Sequence, residues 1–448
     1  MNSLTEEISV DSETDALAAV KSDFQEYLDI LDTAPSWWKD IKKSAFEDYC
    51  ALPDPSRKDE TWRFANLKAW RGTNPEFSAM PSISNAQSLI ERSDLIKTYS
   101  GQIVIADNQT IQAESISPEL SAKGVVFTTL KKALSTHGAL IKDYFMKQEV
   151  DLGSAKAAKL HTAFLENGVI LFVPKGVEVE DPFIVYNWAT SATVPSLPHT
   201  LVIAEDLAKV SLIEAQLSAD ESTPSYSCGV GHIFAGASSK VQLTVLQNFN
   251  EQSVGTQISS NITGKDALVK TLSVNVGCKQ YRSETHGKIV GSGAHVEMLS
   301  LAVTDNDQEI DQRTLQTHDA PHATSDLLFK NALRDKSKTI FSGLIKVAEH
   351  AQQTDAYQTN RNLLLSSDAE ANSLPGLEIE ANDVKCSHGA TTSQIEPEEI
   401  FYMLARGIDR DAANELIVNG FFEEVLERID VEELAENVRQ LIRSKFKK

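Results

Sequence analysis

EDLAKVSLIEA at 205–215, AGASSKVQLTVL at 235–246, GKDALVKTLSV at 264–274, GSGAHVEMLSL at 291–301 and APHATSDLLFK at 320–330 share one layout: a turn of small or polar residues, then a strand of alternating polarity. Aligned on Val210, Val241, Val269, Val296 and Ser325, they step by 31, 28, 27 and 29 residues. A near-constant period of this size marks a stacked architecture. The unit is a strand, so helical repeats and ankyrin units are excluded, and a propeller blade needs a longer period of about 40 residues. Alternation such as Val-x-Leu-x-Val turns every second side chain inward. The rival, a two-sheet sandwich, would show Asn-Gly or Asp-Gly hairpin turns, and none stands between these strands. The expected fold is mainly β: a right-handed parallel β-helix core flanked by N-terminal and C-terminal α-helical regions.

The core is expected over 100–396, with a mixed start up to about 165, where the stretch 131–165 has helical texture. Residues 1–99 form an N-terminal helical region with a flexible acidic start. Phe24, Leu28 and Leu31 recur at helical spacing, and Trp37, Trp38, Ile41, Ala45, Phe46 and Tyr49 suggest a second helix after Pro35. The aromatics of LPDPSRKDETWRFANLKAW (52–70) anchor that segment on the main body. Residues 397–448 read as short amphipathic helices. Pro397 suits a first turn, Ile400, Phe401, Leu404 and Ala405 make an apolar stripe, Asp409 is a candidate N-cap, and Gly420 is a stop signal. Such helices either cap the β body or bind a partner.

The chain has 448 residues and a formal net charge of -22. That balance argues against nucleic-acid binding, which needs clustered Lys and Arg, and against docking on an anionic membrane. Its N-terminus is acidic and lacks the n- and h-regions of a secretory signal, and no run of 18 apolar residues occurs. Cys50, Cys228, Cys278 and Cys386 are scattered with no CxxC pair, which fits a reducing compartment. The expected location is cytoplasmic. No Walker A loop, GxGxxG, GxSxG or HExxH is present.

The strongest local signal is Val-Lys-Cys-Ser-His-Gly-Ala-Thr at 384–391. In a strand, Cys386 and His388 share a face. A thiol and an imidazole side by side form half a site for iron or zinc; the same pair also fits a half-buried strand with no ligand. His318 and His322 are four apart, but Asp-Ala-Pro between them favours a turn. His286 and His295 lie in neighbouring coils, where facing one another or a polar surface explains them equally. Cys228 and Cys278 read as packed core thiols.

The run from Ser325 to Asp409, SDLLFKNALRDKSKTIFSG through VKCSHGATTSQIEPEEIFYMLARGID, resembles the C-terminal half of the SufB/SufD family, as does ANELIVNGFFEEVL at 413–426. The resemblance covers roughly 160–430, and PSRKDETWRFANL resembles a segment of SufD members. SufB members carry a cysteine in a stretch matching 367–375, which here reads SDAEANSLP, and tend to show Glu-His where this chain has Cys-Ser-His. Both departures place it nearer SufD. The resemblance implies a scaffold, not an ATPase itself, that pairs with a SufB-like subunit through the β-helix. A SufC-like ATPase would bind through the C-terminal helices, for which Phe401, Tyr402, Arg406, Phe421 and Phe422 are the candidate contacts. It further implies a transient Fe-S cluster or iron at the SufB interface, with His388 and, less directly, Cys386 as this chain's half-site and no cofactor bound by this chain alone. A homodimer is expected as an option for the isolated chain. Two other readings remain: a secreted β-helix lyase or esterase acting on acidic glycans, and a purely structural subunit.

Overall fold

The computed structural model describes residues 10–31, 34–68, 76–77, 83–148 and 152–446. From Gly101 onward the chain winds between two sheets. The ten-stranded sheet ends, in order, at Leu268–Asn275, His295–Thr304, Thr324–Leu333, Thr354–Leu364 and Val384–Gln394. The nine-stranded sheet ends at Gln280–Ile289, Glu309–His318, Lys338–Val347 and Glu370–Ile379. Successive strands of each sheet pair in parallel, so the core is a β-solenoid. The repeat read from the sequence is the hydrogen-bonding register itself. Val210 pairs with Val241, Val241 with Val269, Val269 with Val296, and Val296 with Ser325.

Five successive coils turn one corner in the same way. Leu207, Ser238, Asp266, Gly293 and His322 all have positive φ, and each lies two residues before a strand of the ten-stranded sheet. Left-handed backbone favours small and polar residues, which is why the turns read as they do. His322 is one of these corner residues, whereas His318 is fully buried and bonds Ser325. The two histidines therefore share no face. His286 and His295 sit in different sheets and bond Thr317 and Thr324 respectively.

The outer face of the nine-stranded sheet carries the N-terminal layer. Helices Val10–Ile30, Ser36–Ala51 and Ala155–Phe164 pack there through Tyr27, Trp38, Phe46 and Phe164 against Ile170, Leu201, Ile203 and Cys228. The first helix starts at Val10, well inside the stretch expected to be loose. Buried Lys42 donates to the carbonyls of Thr162, Ala163 and Leu165 at the C-terminal end of the third helix, where the helix dipole favours a cation. Further along, Trp62 stacks on the Arg282 guanidinium, 3.8 Å from the ring centre. Arg282 is itself buried and paired with Glu284 and Asp311. This aromatic anchors its segment as expected; Trp70 lies outside the described residues.

The outer face of the ten-stranded sheet is covered by two C-terminal helices, Arg410–Leu426 and Glu432–Ser444. Val418, Phe422, Val425, Leu434, Val438 and Ile442 bury against Leu272, Leu299, Leu301 and Leu328. Ion pairs from Lys330 to Glu424 and from Arg428 to Glu297 and Asp326 flank this contact. These helices cover the side of the solenoid and leave its end open. Gly420 is not a stop: the helix runs through it, because Val418 and Phe422 on either side bury on one face, and that burial outweighs the roughly 1 kcal/mol glycine costs in a helix.

A chain of histidines ties the N-terminal layer to the sheet. His161 Nδ1 lies 2.8 Å from the Cys228 carbonyl, so that nitrogen carries the proton. His161 Nε2 must then accept from His199 Nδ1–H, 3.1 Å away. Burial pushes His161 down to about 3 and His232 down to about 4, and holds His199 well below the usual imidazole range. Groups with lowered folded values bind protons more readily once unfolded, so stability is full above about pH 6.5 and falls as the pH drops toward 4. Urea unfolding should lose about 1.4 kcal/mol per titrating group per pH unit across that window. His232→Leu should flatten the pH slope; an unchanged slope contradicts the assignment.

Candidate functional site

The open end is built by columns of inward side chains, each standing on its counterpart one coil below. One column runs Val210, Val241, Val269, Val296, Ser325, Ala356, Cys386. The next runs Leu212, Leu243, Thr271, Met298, Leu327, Gln358, His388. The sequence motif thus caps two adjacent columns, and both side chains do lie on one face of the terminal strand. Both columns turn from aliphatic to polar or reactive in the last coils.

Val384–Gln394 hydrogen-bonds to Thr354–Leu364 on one side, and among the described residues no strand pairs with its other side. Glu370–Ile379 is likewise bonded only to Lys338–Val347. These edges are eleven and ten residues long. At the opposite end each sheet finishes with a short antiparallel strand, Gln109–Ala113 or Val126–Thr129. Short edge strands are a common way of blunting an edge, and long bare ones invite another strand.

His388 is exposed on this edge. Cys386 is half-buried, packed with Val384 beside Ile345, Val347 and Ala356, and burial raises its thiol above the ordinary range. Among the described residues no group of three or more His, Cys, Asp or Glu side chains is placed to hold a metal ion. The two donors therefore offer at most part of a coordination shell, since structural sites typically use four.

The second surface starts three residues after the terminal strand ends. On helix Pro397–Leu404, Ile400 is buried while Phe401 is 72% and Tyr402 58% exposed. Leu404 on the same helix and Leu416 on the next are also exposed. A cavity of about 380 Å³ beside these residues has a mixed lining, with Leu364, Ile395, Ile400 and Phe401 on one hand and Ser366, Gln394, Arg410 and Asn414 on the other. Arg406 lies over the Tyr402 ring, 3.4 Å from its centre. The other two expected contacts differ. Phe421 is half-buried, with Lys330 over its ring, and Phe422 is wholly in the core, where it presents no surface. Adjacent helical positions point to different faces, so the Phe421-Phe422 pair could not both face outward.

Cys228 and Cys278 are fully buried, and burial pushes both thiols up to about 12. Cys278 Sγ lies 2.9 Å from the Ser253 carbonyl and 3.0 Å from the Gln280 carbonyl, the two acceptors within reach of its single S–H. No helix among the described residues is long and apolar enough to cross a membrane.

Comparison with known proteins gives two family matches. Residues 187–421 match the SufBD core domain of the SUF system for FeS cluster assembly, and residues 22–185 match the SufBD protein N-terminal region. The chain is 26% identical to the iron-sulfur cluster assembly protein SufD of Bacillus subtilis, over 92% of this chain and 95% of the relative. It is 26% identical to an iron-sulfur cluster assembly SufBD family protein of Synechocystis, over 87% and 86%. It is 27% identical to the chloroplastic protein ABCI7 of Arabidopsis thaliana, over 90% and 85%.

Thiol labelling checks the geometry. A thiol reagent at pH 8 should modify the half-buried Cys50 and Cys386 in the native protein, and Cys228 and Cys278 only after denaturation. Peptide mass spectrometry that finds Cys228 labelled in the folded state contradicts the packing described.

Proposed function

The chain belongs to the SufBD family of iron–sulfur cluster assembly proteins and is SufD-like, and on that premise we propose that its bare terminal edge pairs with a SufB-like subunit and supplies His388 to a nascent cluster. The observation that carries this reading is the edge itself: two long strands, each with no strand on its outer side among the described residues, one of them bearing an exposed imidazole on its inward face. A second solenoid docked there would satisfy the free backbone groups and bring its own donors to His388. Cys386, one position down the same face, is the reserve ligand. Iron and the cluster are cargo at this interface, held with groups of the sister subunit.

The exposed side chains of Phe401, Tyr402, Leu404 and Leu416 suit a SufC-like ATPase, with Arg406 fixing the Tyr402 ring. Aromatic anchors and arginine dominate binding energy at such contacts. The two surfaces are linked by covalent continuity. Gln394 ends the strand, and Pro397 begins the helix, so a pull on the helix reaches the strand carrying His388 directly. In this reading the chain is a scaffold, and ATP hydrolysis resides in the partner. A homodimer through the same edges would use the same backbone groups in the absence of the sister.

Two variants separate the surfaces. In a reconstituted complex, His388→Ala should leave assembly and melting temperature intact and cut retained iron at least about tenfold; normal iron retention removes His388 from the mechanism. Phe401→Ala should weaken ATPase-subunit binding by about 2 kcal/mol, roughly thirtyfold in Kd, without affecting pairing with the sister. Unchanged ATPase binding by titration calorimetry rejects the docking surface.

A further inference from the structure

Gln358 stands directly beneath His388 in the ladder. It is 1% exposed, and neither Oε1 nor Nε2 of its amide has a hydrogen-bond partner within the chain. Unpaired buried amides are costly and uncommon in native proteins. Room for this one comes from the facing sheet. A Cβ on Gly343 would lie 1.7 Å from Gln358 Nε2 and 2.7 Å from Thr314 Oγ1. Gly343 pairs with Pro375 of the final coil. In the last coil, then, His388 is above Gln358 and Pro375 is above Gly343, and the unpaired amide lies buried directly beneath the final coil. Gln312 Oε1, Thr314 Oγ1 and Gln316 Oε1 on Glu309–His318 of the other sheet also lack partners, and Thr314 Oγ1 borders the space over Gly343 that the Gln358 amide occupies.

An imidazole that binds a metal through one nitrogen presents the other as N–H. A carbonyl acceptor on that N–H fixes both the tautomer and the ring orientation. The side-chain carbonyl of glutamine is such an acceptor, and neighbouring strands are about 4.8 Å apart, within its reach. We propose that Gln358 is the positioning residue for His388: when a sister subunit covers the edge, the imidazole N–H donates to Gln358 Oε1 and the other ring nitrogen is left for iron. This rests on the reading of His388 as an iron ligand.

The test measures iron retained against pH by the reconstituted complex with wild-type chain, Gln358→Leu, Gln358→Glu and His388→Ala. Gln358→Leu should retain iron about tenfold less well at pH 7.5. Gln358→Glu restores an acceptor, so it should recover retention. Its carboxylate favours the imidazolium, so the acid limb should move up by about one pH unit. If both Gln358 variants reproduce the wild-type profile while His388→Ala loses iron, the positioning role is overturned and the ligand role survives. If His388→Ala retains iron normally, both fall. A lower melting temperature in the Gln358 variants with an unmoved pH profile marks a purely structural glutamine and also overturns the proposal.

Discussion

Every coil of this molecule is held in register on the coil below it, and that constraint governs the rest. In a parallel ladder each inward side chain rests on its counterpart about 4.8 Å away, so residues must suit their column before they suit anything else. Aliphatic columns such as Val210-Val241-Val269-Val296 supply apolar burial. The amide column of Gln216, Gln247, Asn275, Asn331 and Asn362, broken at Ala302, places a polar row within the core. Asn331 and Asn362 bond directly, and Asn362 bonds onward to Thr392 in the final coil. A stack of this kind has no intrinsic last coil, so both ends need an answer.

The two ends are answered differently. The starting end closes each sheet with a short antiparallel strand, and the N-terminal helices lie against the outer face of the nine-stranded sheet. The finishing end is left as two long parallel edges, and its C-terminal helices lie along the side of the stack. The columns change character toward that end, from Val and Leu to Ala356, Gln358, Cys386 and His388. An interior that becomes polar and open is poorly suited to stability alone; it is suited to being completed by another surface. The exposed aromatic helix immediately after the last strand places a second contact within a few residues of the first.

The sequence carried the period, and even the pairing of Val210 through Ser325, because turn chemistry and inward alternation repeat along the chain. It concealed the second strand of each coil. Stretches such as QYRSETHGKI and EIDQRTLQTH alternate between a largely polar outer row, buried under the N-terminal segment by pairs such as Arg282–Asp311, and an inner row in which Tyr281, Ile289 and Ile310 are separated by Ser, Thr, Gly and Gln. Neither row is continuously apolar, so hydrophobic alternation is too broken to show. Gly420 misled because tertiary burial of Val418 and Phe422 overrode a local breaker. Phe422 looked like a partner contact for the same reason: a helix can place one aromatic in the core and the next half outside. Cys386 and His388 were legible as a pair on one strand face, but that they top two columns at a bare edge, with an unpaired amide below, depends on stacking order over seven coils.

Amide hydrogen exchange along Val384–Gln394, measured on the chain alone and after mixing with a SufB-like subunit, asks whether this bare edge is a docking edge. Half of this strand's backbone groups have no strand partner in the isolated chain, and the account predicts that those amides exchange quickly alone and become strongly protected on binding. Equal exchange in the two states, with protection arising elsewhere on the surface, would contradict it.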